Sequence, residues 1–154
     1  MIRKANKFDM DECVEMMRHY AAESPVRVLA DPDNHDESHI RSIFTMLMAG
    51  RGFILIDDDY RGMLVAAIVQ NLWCPKIKEV KELAWWVHPE HRDGMVGGKL
   101  LIAFEESAQE LIADGRADSV AISLMETSPQ IHLERRGFKK IEHTFVKEKR
   151  CQPH

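Results

Sequence analysis

The 154-residue chain is poor in several features, and each shortage removes a class of function. Cysteine occurs only at positions 13, 74 and 151. An odd number of widely spaced thiols is no disulfide framework, and it leads us to expect reduced cysteines in a cytoplasmic setting. No apolar run approaches the roughly 20 residues that span a bilayer, so no membrane association is expected. The opening stretch MIRKANKFDM lacks the apolar core of a secretion signal. Positive charge is not in excess either: 21 Lys and Arg face 25 Asp and Glu, a formal charge of −4. Such a balance gives no support for binding along a phosphate backbone, so no nucleic-acid partner is expected. We find no internal repeat and no low-complexity segment.

What remains is a globular mixture, 45% hydrophobic and 30% charged, of a length suited to one domain with one core. We read residues 1–150 as that domain and 151–154 as a short tail. Ile2 to Asn6 suggests a first strand. Asp9 is placed to cap the next helix, with Glu12 completing a capping box. Cys13, Met16, Met17 and Tyr20 then recur at helical spacing until Ser24-Pro25. A polar loop, ADPDNHDESH, leads to a second helix with Ile40, Ile43, Phe44, Leu47 and Met48 on one stripe and Gly50 at its end. The run GFILIDDDYRGMLVAAIV reads as two strands joined by an acidic turn, Asp57 to Gly62. Lys78 to Val87 is a further strand, polar at its start and apolar at its end.

A strong helix follows, with Leu100, Phe104, Ala108 and Leu111 on one face and Gly115 as its stop. Ser119 to Leu124 predicts a short buried strand. Ser128, Pro129 and Gly137 predict a short helix with its cap, first position and stop. FKKIEHTFVKEK supplies one or two last strands. The alternation predicts a mixed α/β domain around one sheet.

The most informative stretch is WWVHPEHRDGMVGGKLL, Trp85 to Leu101. An apolar strand passes through a charged, glycine-bearing turn into an apolar helix. The first N–H groups of a helix have no intrahelical partner and carry the positive end of its dipole. Glycines at 94, 97 and 98 let backbone approach an anion, and Arg92 and Lys99 stand nearby. A phosphate-bearing ligand is the natural reading; a glycine-eased turn that binds nothing is the alternative. The nucleotide P-loop is excluded, since Asp93 stands where its first Gly belongs and Leu100 follows Lys99 where Ser or Thr is required. The dinucleotide fingerprint Gly-x-Gly-x-x-Gly is also absent.

VHPEHRDGMVGGKLL resembles the acyl-CoA-binding motif of the GCN5-related N-acetyltransferases, the GNAT superfamily. Val87, Pro89, Glu90, Arg92, Gly97 and Leu100-Leu101 carry the match. The element order and the closing LERRGFKKIEHTFVKE are also similar to that family. WWVHPEHR resembles small acetyltransferases encoded by bacterial viruses, which would put the protein in an infected host's cytoplasm. The resemblance implies a single GNAT-like domain: a mixed, mostly antiparallel twisted sheet with helices on both faces. It implies acetyl-CoA as cosubstrate, no metal, and transfer of an acetyl group to a primary amine by direct attack in a ternary complex. The acceptor, a small molecule or a protein, is not legible. Family members are frequently dimers, which leaves a homodimer open.

Residue by residue, the resemblance places the CoA phosphates on the amides of Arg92, Asp93, Gly94, Met95, Val96, Gly97 and Gly98, with Lys99 beside them. It places the pantetheine arm and thioester at Trp86, Val87 and His88, and Ser128 joins the cofactor-binding set. Met95 departs from the pattern, since the family has Gly there and Gly94 falls one place early. The general base is expected at Glu82, then Glu79, with plain solvation of a polar strand end as the alternative for both. The family's acidic Tyr position holds Leu133; Tyr20, Tyr60 and His132 are substitutes that position alone does not favour. These two departures keep a second reading open, a CoA-binding or inactive GNAT-fold interaction module.

Two local patterns look like chemistry and read better as surface. HDESH, His35 to His39, imitates the zinc motif His-Glu-x-x-His but has Asp36 for Glu, and reads as a solvated helix start. His88 and His91 flank the glycine turn, where one could steady a phosphate, although surface histidine is the plainer reading.

Overall fold

The computed structural model describes residues 1–126, 128–129 and 131–149. Five strands form one sheet in the order β1-β2-β3-β4-β5: β1 (Ile2–Lys4), β2 (Gly52–Asp57), β3 (Gly62–Gln70), β4 (Lys78–Val87) and β5 (Ser119–Ala121). The first three pairings are antiparallel and β4 with β5 is parallel. Helices α1 (Met10–Ala22), the short α2 (Arg27–Ala30) and α3 (Glu37–Met46) lie between β1 and β2, and α4 (Val96–Ala113) joins β4 to β5. The expected single α/β domain with a mostly antiparallel sheet is therefore what forms.

The strand period of two sorts the core into two layers. Ile54, Ile56, Met63, Val65, Ala84 and Trp86 pack with Cys13, Val14 and Met16 of α1 and Phe44 of α3. Phe53, Leu55, Leu64, Ala66 and Val80 pack with Leu100, Leu101, Phe104 and Ala108 of α4. Helices thus cover both faces. Gly62 permits the close seating of α4: a Cβ there would meet Val96 at 3.0 Å and Leu100 and the Trp86 carbonyl at 3.1 Å.

Several local expectations are corrected. Asp9 does not cap α1 with its side chain. It is 3% exposed and serves as a hub, accepting from Arg3 at 2.8 Å, Tyr60 at 2.8 Å and the Asn6 amide at 2.9 Å. Asn6 does the capping, one turn earlier. The acidic turn is not all solvated, since Asp57 is buried against Arg61 Nε at 2.7 Å. α3 runs on into a π turn over Leu47–Arg51, broken at Gly50 with φ +112.

β5 stops at Ala121 instead of Leu124, and the helix expected from Ser128 is only a 3-10 turn, Leu133–Arg136, which Gly137 ends in the left-handed region. Residues 138–149 form no strand, and Ile141, Phe145 and Val146 are exposed. No pairing of this segment with β5 forms among the described residues. The segment is held instead at Glu148, whose carboxylate accepts the Val28 amide at 3.4 Å. The tail expected over 151–154, and Arg150 before it, fall outside the described residues.

Candidate functional site

Two features of β4 create a site. β4 and β5 pair only at Glu79 with Ser119, Val80 with Val120 and Lys81 with Ala121. From Glu82 to Val87, β4 has no strand partner on that side among the described residues, which leaves a cleft in the hydrogen-bonding of the sheet. On its other side, the register with β3 steps from Val65 opposite Ala84 to Ala66 opposite Glu82. Leu83 is the extra residue, a β-bulge at the point where the strands part. Bulges commonly re-aim a side chain in this way.

Glu82 sits at that fork and is 6% exposed. Burial pushes its carboxyl up to about 7, although the Ser123 amide, donating at 3.3 Å, and nearby Lys81 favour the charged form. A carboxyl that titrates near neutrality can take a proton from an amine. Glu79 lies inside both ladders, opposite Val69 and Ser119, away from the opening. Tyr20 of α1 is the nearest phenol in electrostatic terms: its hydroxyl is pushed up to about 12, first by burial and then by the Glu82 charge. Tyr60 is spent on Asp9. Leu133 is packed against the α4-side core.

The alternation of an antiparallel ladder decides which β4 backbone groups face the cleft. His88 donates its amide to Arg61 O at 2.7 Å, toward β3. Trp86, opposite Met63, shares that direction, so the amides of Trp85 and Val87 turn to the open edge. Val87 O also faces that way and accepts from Arg92 Nε at 2.8 Å. Trp86 is 4% exposed and stacks on His19 with ring centroids 5.3 Å apart, while Trp85 packs against the α4-side core.

Past Val87, a 3-10 turn (Pro89–His91) precedes α4. The Arg92 amide donates to Pro89 O at 3.5 Å and that of Gly94 to His91 O at 3.2 Å. Those of Asp93, Met95, Val96, Gly97 and Gly98 have no partner among the described residues, and no side chain caps the helix. Five free donors at the positive end of an 18-residue helix are a candidate anion cradle. Met95 has φ −93, an ordinary value, so a side chain at that position leaves its amide available; the side chain itself is 73% exposed. A Cβ on Gly98 would meet nothing within 4 Å, so space lies open over the cradle, whereas one on Gly97 would touch Val87 at 3.5 Å. Lys99 is exposed beside them.

Sequence reasoning missed the partner of Arg92. Its guanidinium lies bidentate on Glu23, at 2.6 and 2.7 Å, just past the end of α1. The one hint was an acidic residue at a helix C-terminus, where the dipole disfavours it. The Ser128 amide closes a turn onto Met125 O at 2.9 Å. Asp36 caps α3 by accepting the His39 amide at 3.0 Å, so HDESH is a helix start. A cavity of about 610 Å³ lies at the opposite end of the sheet, lined by Arg51, Lys78 and Arg116. Arg51 and Arg116 follow the ends of two helices, where the dipole attracts positive charge, and the cavity is remote from the cleft.

Neither a family model nor a curated protein matches the chain by sequence. Solved structures do match its fold. An acetyltransferase from Trypanosoma brucei is 16% identical with a TM-score of 0.65, over 96% of this chain and 98% of that one. A GNAT family acetyltransferase from Staphylococcus aureus is 16% identical with a TM-score of 0.60, over 96% and 97%. A transcriptional regulator from Bacillus halodurans is 17% identical with a TM-score of 0.65, over 96% and 98%. At such identities the likeness establishes the fold alone, one shared with these structures.

Proposed function

We propose that the protein is an acyl-CoA-dependent N-acyltransferase that moves an acetyl group from acetyl-CoA to a primary amine. The observation that carries this reading is the cleft where β4 leaves β5, with the buried Glu82 at its fork and five unpartnered amides at its far end. The free amides of Asp93 and Met95 to Gly98 suit the CoA pyrophosphate, and the Trp85 and Val87 edge suits the amide-bearing pantetheine arm. Acetyltransferases among the solved structures with this fold support the same activity class.

In the reaction we infer, Glu82 accepts the proton of the attacking ammonium, directly or through water. The amine nitrogen bonds to the thioester carbonyl carbon. The Val87 amide is the edge donor we assign to the oxyanion. Collapse expels the CoA thiolate, and the second proton of the nitrogen passes to that thiolate or to water, leaving the neutral amide and CoA. With Leu133 at the family's acid position, no acid is assigned there, and a thiol of pKa about 8.5 leaves without one. Glu79 is the second choice of base.

A second reading, a CoA-binding module without turnover, is favoured by Leu133. A solved structure of the same fold is described as a transcriptional regulator. Calorimetry with acetyl-CoA, followed by turnover on a panel of amines including protein N-termini, lysine peptides, polyamines and aminoglycosides, separates the two. Binding with transfer supports the enzyme, binding without transfer the module, and no binding defeats both. The likeness to viral acetyltransferases rests on Trp85 to Arg92 alone; if it holds, host proteins are the first acceptors to test by N-terminal and acetyl-lysine proteomics.

A further inference from the structure

The turn before the cradle gathers a second kind of chemistry. One donor atom each from His88, Glu90 and His91 lies within 4.8 Å of the others, the one such trio with three members among the described residues. His88 stands just before the 3-10 turn and His91 is its last residue, so the turn folds the two side chains toward each other. Their ring centroids are 5.7 Å apart. A tetrahedral ion with ligand bonds of about 2.1 Å needs its donors about 3.4 Å apart, so side-chain rotation alone closes the set.

The backbone beneath is fixed. Pro89 opens the turn, the His91 amide donates to His88 O at 2.8 Å, and Arg92 ties the exit to Val87 O and Glu23. We propose that His88, Glu90 and His91 form a site for a zinc-like divalent transition-metal ion, with water completing its shell. Two imidazoles and one carboxylate suit such a borderline ion better than calcium or magnesium, which prefer all-oxygen shells.

The ligands are not equivalent. His88 Nδ1 accepts the Glu90 amide at 3.2 Å, so coordination through that nitrogen replaces a hydrogen bond. Glu90 and His91 carry no such cost and anchor the ion. The bound ion would lie one turn ahead of the free amides and add positive charge to the same end of α4.

The test uses tag-free, full-length protein without CoA, and so is independent of the proposed function. Zinc titration by calorimetry should show one ion per chain. Cobalt(II) should give the intense visible bands of a tetrahedral site. Glu90→Gln and His91→Ala should each weaken binding about tenfold or more, whereas His39→Ala should not. Matching thermal unfolding of the metal-free variants checks that they fold. A weak octahedral cobalt spectrum, or His91→Ala and Glu90→Gln binding zinc as the parent does, overturns the proposal. Zinc binding in a chain that ignores acetyl-CoA would sustain this site while defeating both CoA readings.

Discussion

Arg92 holds Glu23 with both oxygens while its Nε donates to Val87 O, so one guanidinium ties α1 to the edge of the cleft. Arg92 is thus already paired with a carboxylate, and under the proposed function that carboxylate would face the CoA pyrophosphate. Both side chains are about 40% exposed, so the pair adds little to stability, and its effect falls on binding. Glu23→Gln should therefore tighten acetyl-CoA binding about threefold, a gain that disappears in high salt as the charge is screened. Calorimetry at two salt concentrations measures this. An unchanged or weaker affinity would show that Glu23 is needed to position the turn.

Glu82 predicts opposite signs for activity and stability. As a base it must be deprotonated, so turnover should rise with pH through about 7 and level off above it. Glu82→Gln should remove that limb and lower kcat about a hundredfold, with acetyl-CoA affinity unchanged. Stability runs the other way. The folded carboxyl is raised above its ordinary value of 4.5, so its contribution is fully present below pH 4.5 and is lost as pH climbs through about 7. Glu82→Gln should then unfold at a higher temperature than the parent at pH 8, by up to about 3 kcal/mol of stability, with the gain shrinking to almost nothing by about pH 4. A pH-independent difference in melting temperature would remove the buried charge from the account.

Much of this site was legible before the fold was known, for physical reasons. Free amides follow from a strand, a glycine-bearing turn and a helix start, all readable in Trp85 to Leu101. Lys78–Val87 showed its limits in its own polarity gradient. What was hidden depends on contacts between distant residues. Nothing local announces the bulge at Leu83, the Ser123 amide on Glu82 or the Glu23 clasp on Arg92. Asp9 looked like a cap because capping is a local signal, and Arg3 and Tyr60 drew it elsewhere. The strand pattern in 138–149 is local, but a strand also needs a distant partner edge, and the segment pairs with none among the described residues.

Gly98 separates helix propensity from ligand space. It lies in the first turn of α4, where Ala is favoured over Gly by up to about 1 kcal/mol, and an added Cβ meets nothing within 4 Å. Gly98→Ala should therefore raise the melting temperature. The same methyl projects into the open space over the cradle, so acetyl-CoA affinity should fall about tenfold, and Gly98→Val should lose more. Thermal unfolding and calorimetry on the same samples test both halves. A Gly98→Val variant that binds acetyl-CoA normally would place the pyrophosphate elsewhere.

Gly62 connects the core to the cradle. It faces the start of α4 from β3, and a Cβ would stand 3.0 Å from Val96 Cγ1, 3.1 Å from Leu100 Cδ1 and 3.1 Å from the Trp86 carbonyl. The two side chains can yield by a few tenths of an ångström, but the Trp86 carbonyl belongs to the β4 backbone and cannot move without shifting the strand edge. Gly62→Ala should cost about 1–3 kcal/mol through overpacking, and it should do so by lifting the first turn of α4 from the sheet. The free amides of Val96, Gly97 and Gly98 ride on that turn. Acetyl-CoA affinity should consequently fall in Gly62→Ala even at temperatures where the variant is fully folded. Val96→Ala, which removes the methyls the new Cβ meets, should restore part of the affinity in the double variant although it thins the core. A double variant that is weaker in both stability and affinity than either single change would mean that the strain falls on β4 and not on α4.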